Sequence, residues 1–327
     1  MKKILAMLLA LALILCLGVS VLAEETTINF GYMPNYASLW AVLTGINGGY
    51  FAEEGLTVNL VEFADGPSEI AAMEGGSLDL AYIGKGAHRL CILGNATIFA
   101  PSSVHTTDKM IVTAESGIAS LEDLKGKKIG YSAGSSSEST MNSALSLAGL
   151  TTDDAELFAL DPNYIVSAML SGDIDVAFTW SPYTFQILDM VEGTTEIAFS
   201  NGSINMSSFI CLPGYAEANR DTLVRFSRAL YKAMDWGSKE ENAETVAQWC
   251  AEQTKTDKDA NLLQWGDADW YDIARLKAEV EDGTMAANYM HVQQDFIDGG
   301  NITAEEAVED ASAFVMIDLM AEVLGEL

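Results

Sequence analysis

The sequence predicts an α/β protein of two lobes, each a mixed sheet flanked by helices, with two hinge crossings between them and a helical C-terminal region. Three observations point there. Residues 72–82 (AMEGGSLDLAY) align without a gap to residues 168–178 (AMLSGDIDVAF), each copy ending a helix, turning at glycine and entering an apolar strand. Leu124 to Gly149 reads as strand, small-residue loop and helix. The roughly 300 residues after the first 23 suit two compact cores better than one.

The chain opens with Met1-Lys2-Lys3 and an apolar run that ends with Val21 and Ala23 shortly before Glu24. A charged start, a short apolar stretch and small residues before a cut describe a signal peptide over residues 1–23, so the mature chain begins near Glu24 and is exported. Bulky Leu15 precedes Cys16 where lipid-processing signals carry a small residue, which argues against a lipid anchor. Losing Lys2 and Lys3 leaves 15 of the 17 basic residues against 47 acidic ones. Such a surface repels nucleic acid and anionic membranes. It does not forbid a small anion at a local positive site, because the field is screened over about 8 Å. Cys91, Cys211 and Cys250 remain, an odd number at long spacings. They allow one disulfide at most and exclude a disulfide framework or a clustered-cysteine zinc site.

In chain order, Thr26 to Tyr32 alternates as a strand and opens into the loop Met33 to Ser38 before a helix from Leu39. Ligands of open parallel sheets bind beyond the carboxyl ends of the strands, so Tyr32, Asn35 and Tyr36 are candidates. Trp40, on an apolar helix face, reads as core. Thr57 to Phe63 is the second strand, and Asp65-Gly66-Pro67-Ser68 turns into a helix, placing Ser68 at another strand end. The first echo runs into Gly84-Lys85-Gly86 and the second into Trp180-Ser181-Pro182-Tyr183, so both loops should face one cleft. Gly84 and Lys85 join the candidates because a base is rare in this chain and this one is flanked by glycine. Trp180 and Tyr183 join them because aromatic walls are common in clefts. His88 and Arg89, a turn further on, read as surface or as support behind the site.

Ile98 to Ser103 and Lys109 to Thr113 read as strands flanking a first crossing, and Met206 to Cys211 follows the return crossing. The implied division is 24–104 for the first part of lobe one, 105–206 for lobe two, and 207–327 for the return and the C-terminal helices. From Asn219 onward the pattern is helical, and Trp236, Trp249, Trp265 and Trp270 read as packing. In the central stretch, Gly134-Ser135-Ser136-Ser137 precedes a helix with Met141, Ala144, Leu145 and Ala148 at helical spacing and Gly149 at its end. A helix N-terminus offers unpaired N–H groups and a positive dipole end, a small anion site at Ser135, Ser136 and Ser137. Ser135 with Glu138 also matches a capping box, which would still leave the hydroxyls of Ser136 and Ser137 for a ligand.

Enzyme motifs are missing. There is no Walker-A sequence, no complete G-x-G-x-x-G, no H-E-x-x-H and no G-x-S-x-G, and no metal-ligand spacing links His88, His105 and His291. Neither catalysis nor a cofactor or metal is expected.

Several segments together carry a family resemblance: Phe30-Gly31-Tyr32, Gly49-Tyr50-Phe51 with Glu54-Gly55-Leu56, Gly76-Ser77-Leu78-Asp79, Asp123 to Ile129, Gly134-Ser135 and Trp180 to Tyr183. In this order the chain resembles the solute-binding proteins of ABC importers for sulfonates, taurine and nitrate, and their relatives that bind thiamine-precursor pyrimidines. The resemblance runs from about Ile28 to Cys211. It implies the type II periplasmic-binding-protein fold, a monomeric clamp outside the cytoplasm, and a permease partner with its separate ATPase. It implies as ligand a small organic anion or zwitterion, sulfonate- or taurine-like or nitrate- or bicarbonate-like. A thiamine-precursor pyrimidine is the alternative, and an enzyme making that precursor a lesser one. Gly84-Lys85 stands where sulfonate-binding members usually show Gly-Asp, which would favour a negatively charged group on the ligand or a different orientation of it.

Overall fold

In a computed structural model of the chain, residues 26–105, 108–199 and 204–327 are described. The signal peptide expected over 1–23 lies outside them, as do Thr106 and Thr107 of the first crossing and Ser200 near the second.

Among the described residues the first sheet has six strands, in the spatial order Ala268–Trp270, Thr97–His105, Asn205–Cys211, Leu80–Ile83, Thr26–Tyr32 and Leu56–Glu62. The second has five, in the order Glu156–Ala159, Lys128–Tyr131, Val176–Thr179, Lys109–Val112 and Thr195–Ile197. In chain order, β1 (Thr26–Tyr32), α1 (Tyr36–Asn47), β2 (Leu56–Glu62), α2 (Gly66–Glu74), β3 (Leu80–Ile83) and β4 (Thr97–His105) lay down the first sheet. The chain then crosses to β5 (Lys109–Val112), β6 (Lys128–Tyr131), α3 (Ser136–Leu147), β7 (Glu156–Ala159), α4 (Pro162–Ser171), β8 (Val176–Thr179), α5 (Tyr183–Met190) and β9 (Thr195–Ile197). It returns through β10 (Asn205–Cys211). In each lobe the core strands run parallel, and the strand entered from a crossing, β5 or β10, runs antiparallel to them. His105 closes β4 and Asn205 opens β10, and the two pair in the first sheet, so both crossings leave from one edge of the cleft.

The echo marks structurally equivalent positions. Leu78 lies where a Cβ on Gly31 of β1 would come within 2.7 Å of its Cδ1, and Ile174 stands at 2.5 Å in the same relation to Gly130 of β6. Asp79 accepts from Asn29 N at 2.8 Å, and Asp175 accepts from Lys128 N at 2.9 Å. Each aspartate thus ties the entry of its strand to the neighbouring parallel strand, and each glycine lets the preceding apolar residue lie flat on the sheet.

The apolar face read on α3 is the one that packs: Met141, Ala144 and Leu145 are buried with Ile129, Val176 and Phe178. Burial of such side chains stabilises by about 1.5–3 kcal/mol each. On the first lobe, Phe226 from α6 (Arg220–Gly237) stacks on Phe51 and Phe30 at 4.6 and 6.2 Å. α7 (Ala243–Thr254) and α8 (Lys258–Trp265) follow. The region after Asn219 is not wholly helical, however. Ala268–Trp270 forms β11, an edge strand antiparallel to β4, because Gly266 and Asp267 end α8 beside an open strand edge. α9 (Ile273–Glu281), α10 (Thr284–Asp298) and α11 (Ile317–Glu326) complete the lobe.

Glu69, in the first turn of α2, is fully buried and neither carboxyl oxygen has a hydrogen-bond partner. Burial, reinforced by Asp65, holds its pKa well above the usual carboxylate range. The folded state therefore keeps a proton that the unfolded chain releases above about pH 4.3. Its contribution to stability is complete below that pH and declines by about 1.4 kcal/mol per unit as pH rises towards the folded pKa. Glu69→Gln should remove this decline. Urea midpoints of wild type and variant at pH 5 and pH 7 are the check, and parallel pH dependences would show that Glu69 is already ionised in the fold.

Candidate functional site

A cavity enclosing about 700 Å3 of empty space, part of it open to solvent, lies between the carboxyl ends of the two sheets. The first lobe contributes Asn35, Gly66, Gly84 and Lys85, and the second contributes Ser135, Ser136, Trp180 and Ser181. The crossings supply His105, Asp108 and Asn205, and the C-terminal region supplies Gln264, Asp267 and Trp270.

Of the residues singled out from the sequence, Asn35, Gly84, Lys85, Ser135, Ser136 and Trp180 line this cavity. The other five are engaged elsewhere. Tyr32 donates to Glu62 Oε2 and accepts from Gln253 Nε2, both at 3.0 Å. Tyr36 is fully buried, with its ring 5.3 Å from that of Trp270, and its backbone N–H holds Gln264 Oε1 at 3.1 Å. It therefore positions two lining residues from behind. Ser68 is used by its own helix, its N–H donating to Asp65 Oδ1 and its hydroxyl to Asp65 O. Ser137 is buried, with Oγ accepting from Ser132 N at 2.8 Å. Tyr183 supports Trp180 edge-on, the ring centroids 6.0 Å apart. His88, read as surface or support, is fully buried with neither ring nitrogen hydrogen-bonded, and burial lowers its pKa to about 3.

Local sequence explains how the lining residues are held. Asn35 caps α1, its Oδ1 accepting from Ser38 N at 2.8 Å. Ser135 caps α3, accepting from Ser137 N at 3.2 Å and donating to Ser132 O at 2.7 Å. Glu138 reaches one residue further back than a capping box would, to Gly134 N at 2.7 Å. The Ser181–Pro182 peptide is cis and sets the turn between Trp180 and α5.

The two lobes meet along a seam of small residues. Gly86 packs so closely on the Ser135–Ser136 peptide that a Cβ there would fall inside it, and Pro67 lies against Gly134. A hydrogen bond between Ser181 and Asp267 also joins second-lobe and first-lobe elements.

The electrostatics differ from a simple anion cradle. Lys85 Nζ donates to Asp295 Oδ2 of α10 at 2.6 Å, and burial lowers its pKa against the pull of that carboxylate. The N-terminus of α3 faces Asp108, whose carboxyl is hydrogen-bonded by Ser136 and, at 3.4 Å, by Thr140. Burial pushes Asp108 up to about 6, while those hydrogen bonds and the charge of Lys85 pull it down. Burial lowers His105 to about 4, so near pH 7 its Nε2 is hydrogen-bonded in a neutral ring, to Ser103 and Ser207 at 2.9 and 2.8 Å. Both of those serines are fully buried. Among the described residues no group of three or more His, Cys, Asp or Glu is placed to hold a metal ion, and no helix is long and apolar enough to cross a membrane.

Sequence reasoning missed His105, Asp108, Asn205, Gln264, Asp267 and Trp270. His105 and Asp108 were visible as the polar part of the first crossing, and a crossing necessarily floors the cleft. From sequence Trp270 reads as core or inter-helix packing, and its place on a three-residue edge strand has no periodicity to reveal it.

The model of the NMT1-like family matches residues 22–251. A provisionally named binding protein of Brucella abortus is 34% identical over 245 residues, 74% of this chain and 75% of its own length. A provisionally named aliphatic sulfonates-binding protein of Bacillus subtilis is 27% identical over 57% of each chain. Three solved structures share the fold at low identity. The periplasmic nitrate-binding protein NrtA of Synechocystis has a TM-score of 0.74 at 14% identity, over 93% of this chain and 89% of its own. The alkanesulfonate-binding protein SsuA of Xanthomonas axonopodis, bound to MOPS, has 0.67 at 19%, over 90% and 99%. The desulfurization enzyme DSZB has 0.65 at 15%, over 92% and 99%, so the same architecture also carries catalysis.

Proposed function

The chain belongs to the NMT1-like family, and on that premise we propose that it is the extracytoplasmic solute-binding subunit of an ABC importer. It captures a small organic molecule between its lobes and presents the closed form to a permease driven by a separate ATPase. The observation that carries this reading is the cavity itself, lined from both sheets and both crossings and walled by Trp180 and Trp270. A ligand touching both lobes stabilises the closed form by its extra affinity for it. The sulfonate-binding relatives support a zwitterion or organic anion such as taurine or an alkanesulfonate as the solute class. Two indoles together with the amides of Asn35 and Gln264 favour, as a second reading, a heteroaromatic pyrimidine of the thiamine-precursor type. Binding is preferred to catalysis because the serines that hydrogen-bond His105 do not open onto the cavity.

A thermal-shift screen of the chain from Glu24 against taurine, alkanesulfonates, nitrate, bicarbonate, thiamine, its pyrimidine precursors and polyamines tests this. A selective ligand at 100 times its dissociation constant should add about 2.7 kcal/mol of stability, read as a raised midpoint. A sulfonate or taurine response supports the first reading and a pyrimidine response the second; incubation that converts a solute instead of retaining it would favour an enzyme. Trp180→Ala should weaken the responding solute by roughly 10- to 100-fold in calorimetric titration. Unchanged affinity would take Trp180 out of the site.

A further inference from the structure

The charges lining the cleft do not suit a bare oxyanion. Lys85 is on the wall, but its ammonium is committed to Asp295 at 2.6 Å. The N-terminus of α3, where an anion would settle, already faces the carboxylate of Asp108. A second carboxylate, Asp267, lines the same cavity and is hydrogen-bonded by Ser181. His105 adds no positive charge near neutral pH, because burial lowers its pKa to about 4. An entering oxyanion would therefore meet net negative charge, in a space partly withdrawn from solvent screening.

We propose, on the solute-binding reading above, that this cleft selects solutes carrying a positively charged nitrogen, held by Asp108 and Asp267 and enclosed by Trp180 and Trp270. A carboxylate has about four lone-pair positions, and among the described residues Ser136 and Thr140 use two of those on Asp108. The remaining capacity suits the N–H donors of an ammonium or amidinium group, and a charge-assisted hydrogen bond to it is the strong kind. Indoles are the best aromatic partners for a cation. Lys85 pairs with Asp295, so the charges of those two offset each other and Asp108 and Asp267 carry the negative charge of the wall. In a zwitterion such as taurine, the ammonium end is then the one recognised, and the acidic end lies towards solvent or the amides of Asn35 and Gln264.

Calorimetric titration of the wild-type chain with matched pairs that differ in the amine separates the possibilities: taurine and ethanesulfonate, β-alanine and propionate, benzylamine and benzyl alcohol. The aminated member of a pair should bind roughly 10- to 100-fold more tightly, the step of one charged hydrogen bond. Asp108→Asn, close in shape to the native residue, should reduce that gap to a few-fold, with Asp267→Asn as a second variant. Equal binding within a pair, or tighter binding of ethanesulfonate than taurine, overturns the inference and leaves the solute-binding reading standing. A wild-type chain that binds no member of any pair and no solute of the thermal-shift screen overturns both.

Discussion

Gly86→Ala is expected to hold the two lobes apart and weaken solute binding by on the order of 100-fold. Gly86 follows β3 in the first lobe, and the Ser135–Ser136 peptide caps α3 in the second, so under the proposed clamp motion opening the cleft would part this contact. The backbone of Gly86 does not lie in the left-handed region reserved for glycine. Alanine can therefore adopt it, and the open form should be almost unaffected. What is lost is the space at the seam, because a Cβ there would overlap a backbone peptide that cannot swing aside as a side chain can. Overpacking against a rigid partner costs about 3 kcal/mol or more, and this cost falls on the closed form alone. In small-angle scattering the wild-type radius of gyration should fall on adding solute while that of Gly86→Ala stays constant, with melting temperatures of the free proteins within about 2 °C. A variant that binds and contracts like wild type would show that capture does not require this seam.

Lys85→Met is expected to damage stability more than affinity. Lys85 is 5% exposed and Asp295 17%. Removing the lysine leaves a largely buried carboxylate whose nearest other cationic group is His291, 3.6 Å away on the same helix and charged only when protonated. Breaking one side of a buried pair typically costs about 3–5 kcal/mol. The residual exposure of Asp295 and the nearby His291 reduce the expectation here to about 2–4 kcal/mol. Replacing both partners by apolar residues of similar volume, Lys85→Met with Asp295→Leu, should recover most of the loss. Urea denaturation of the two single variants and the double variant forms the cycle. An unchanged midpoint in Lys85→Met together with a large loss of solute affinity would instead make Lys85 a direct ligand contact, as its glycine-flanked loop suggests from sequence.

That contrast shows where sequence reading reaches and where it stops. The cap loop before α3, the buried face Met141-Ala144-Leu145 and the helix–glycine–strand echo are local patterns, fixed by spacing and by glycine, and they place the cleft correctly between the sheets. Gly84, Lys85 and Trp180 follow from the echo because equivalent strands end at equivalent depth. The partner of Lys85 lies 210 residues away, and no local pattern announces it. Ser136 and Ser137 are adjacent and chemically identical, yet one lines the cavity and the other is buried against Ser132, because a helix turns its successive residues to different faces. Asp108 sits in a crossing whose course depends on both lobes at once, so its arrival at the N-terminus of α3 is a tertiary fact. Trp270 reached the cavity only because a sheet edge was available to β11.

The central claim is that this chain holds one small solute in the cleft between its lobes. Equilibrium dialysis of the chain from Glu24 against a mixture of small polar solutes, followed by mass spectrometry of what the protein retains, addresses it directly. The account predicts one solute retained at one molecule per chain by the wild type and lost from Trp180→Ala and Gly86→Ala. Retention of nothing by the wild type, or of the same solute equally by both variants, would contradict it.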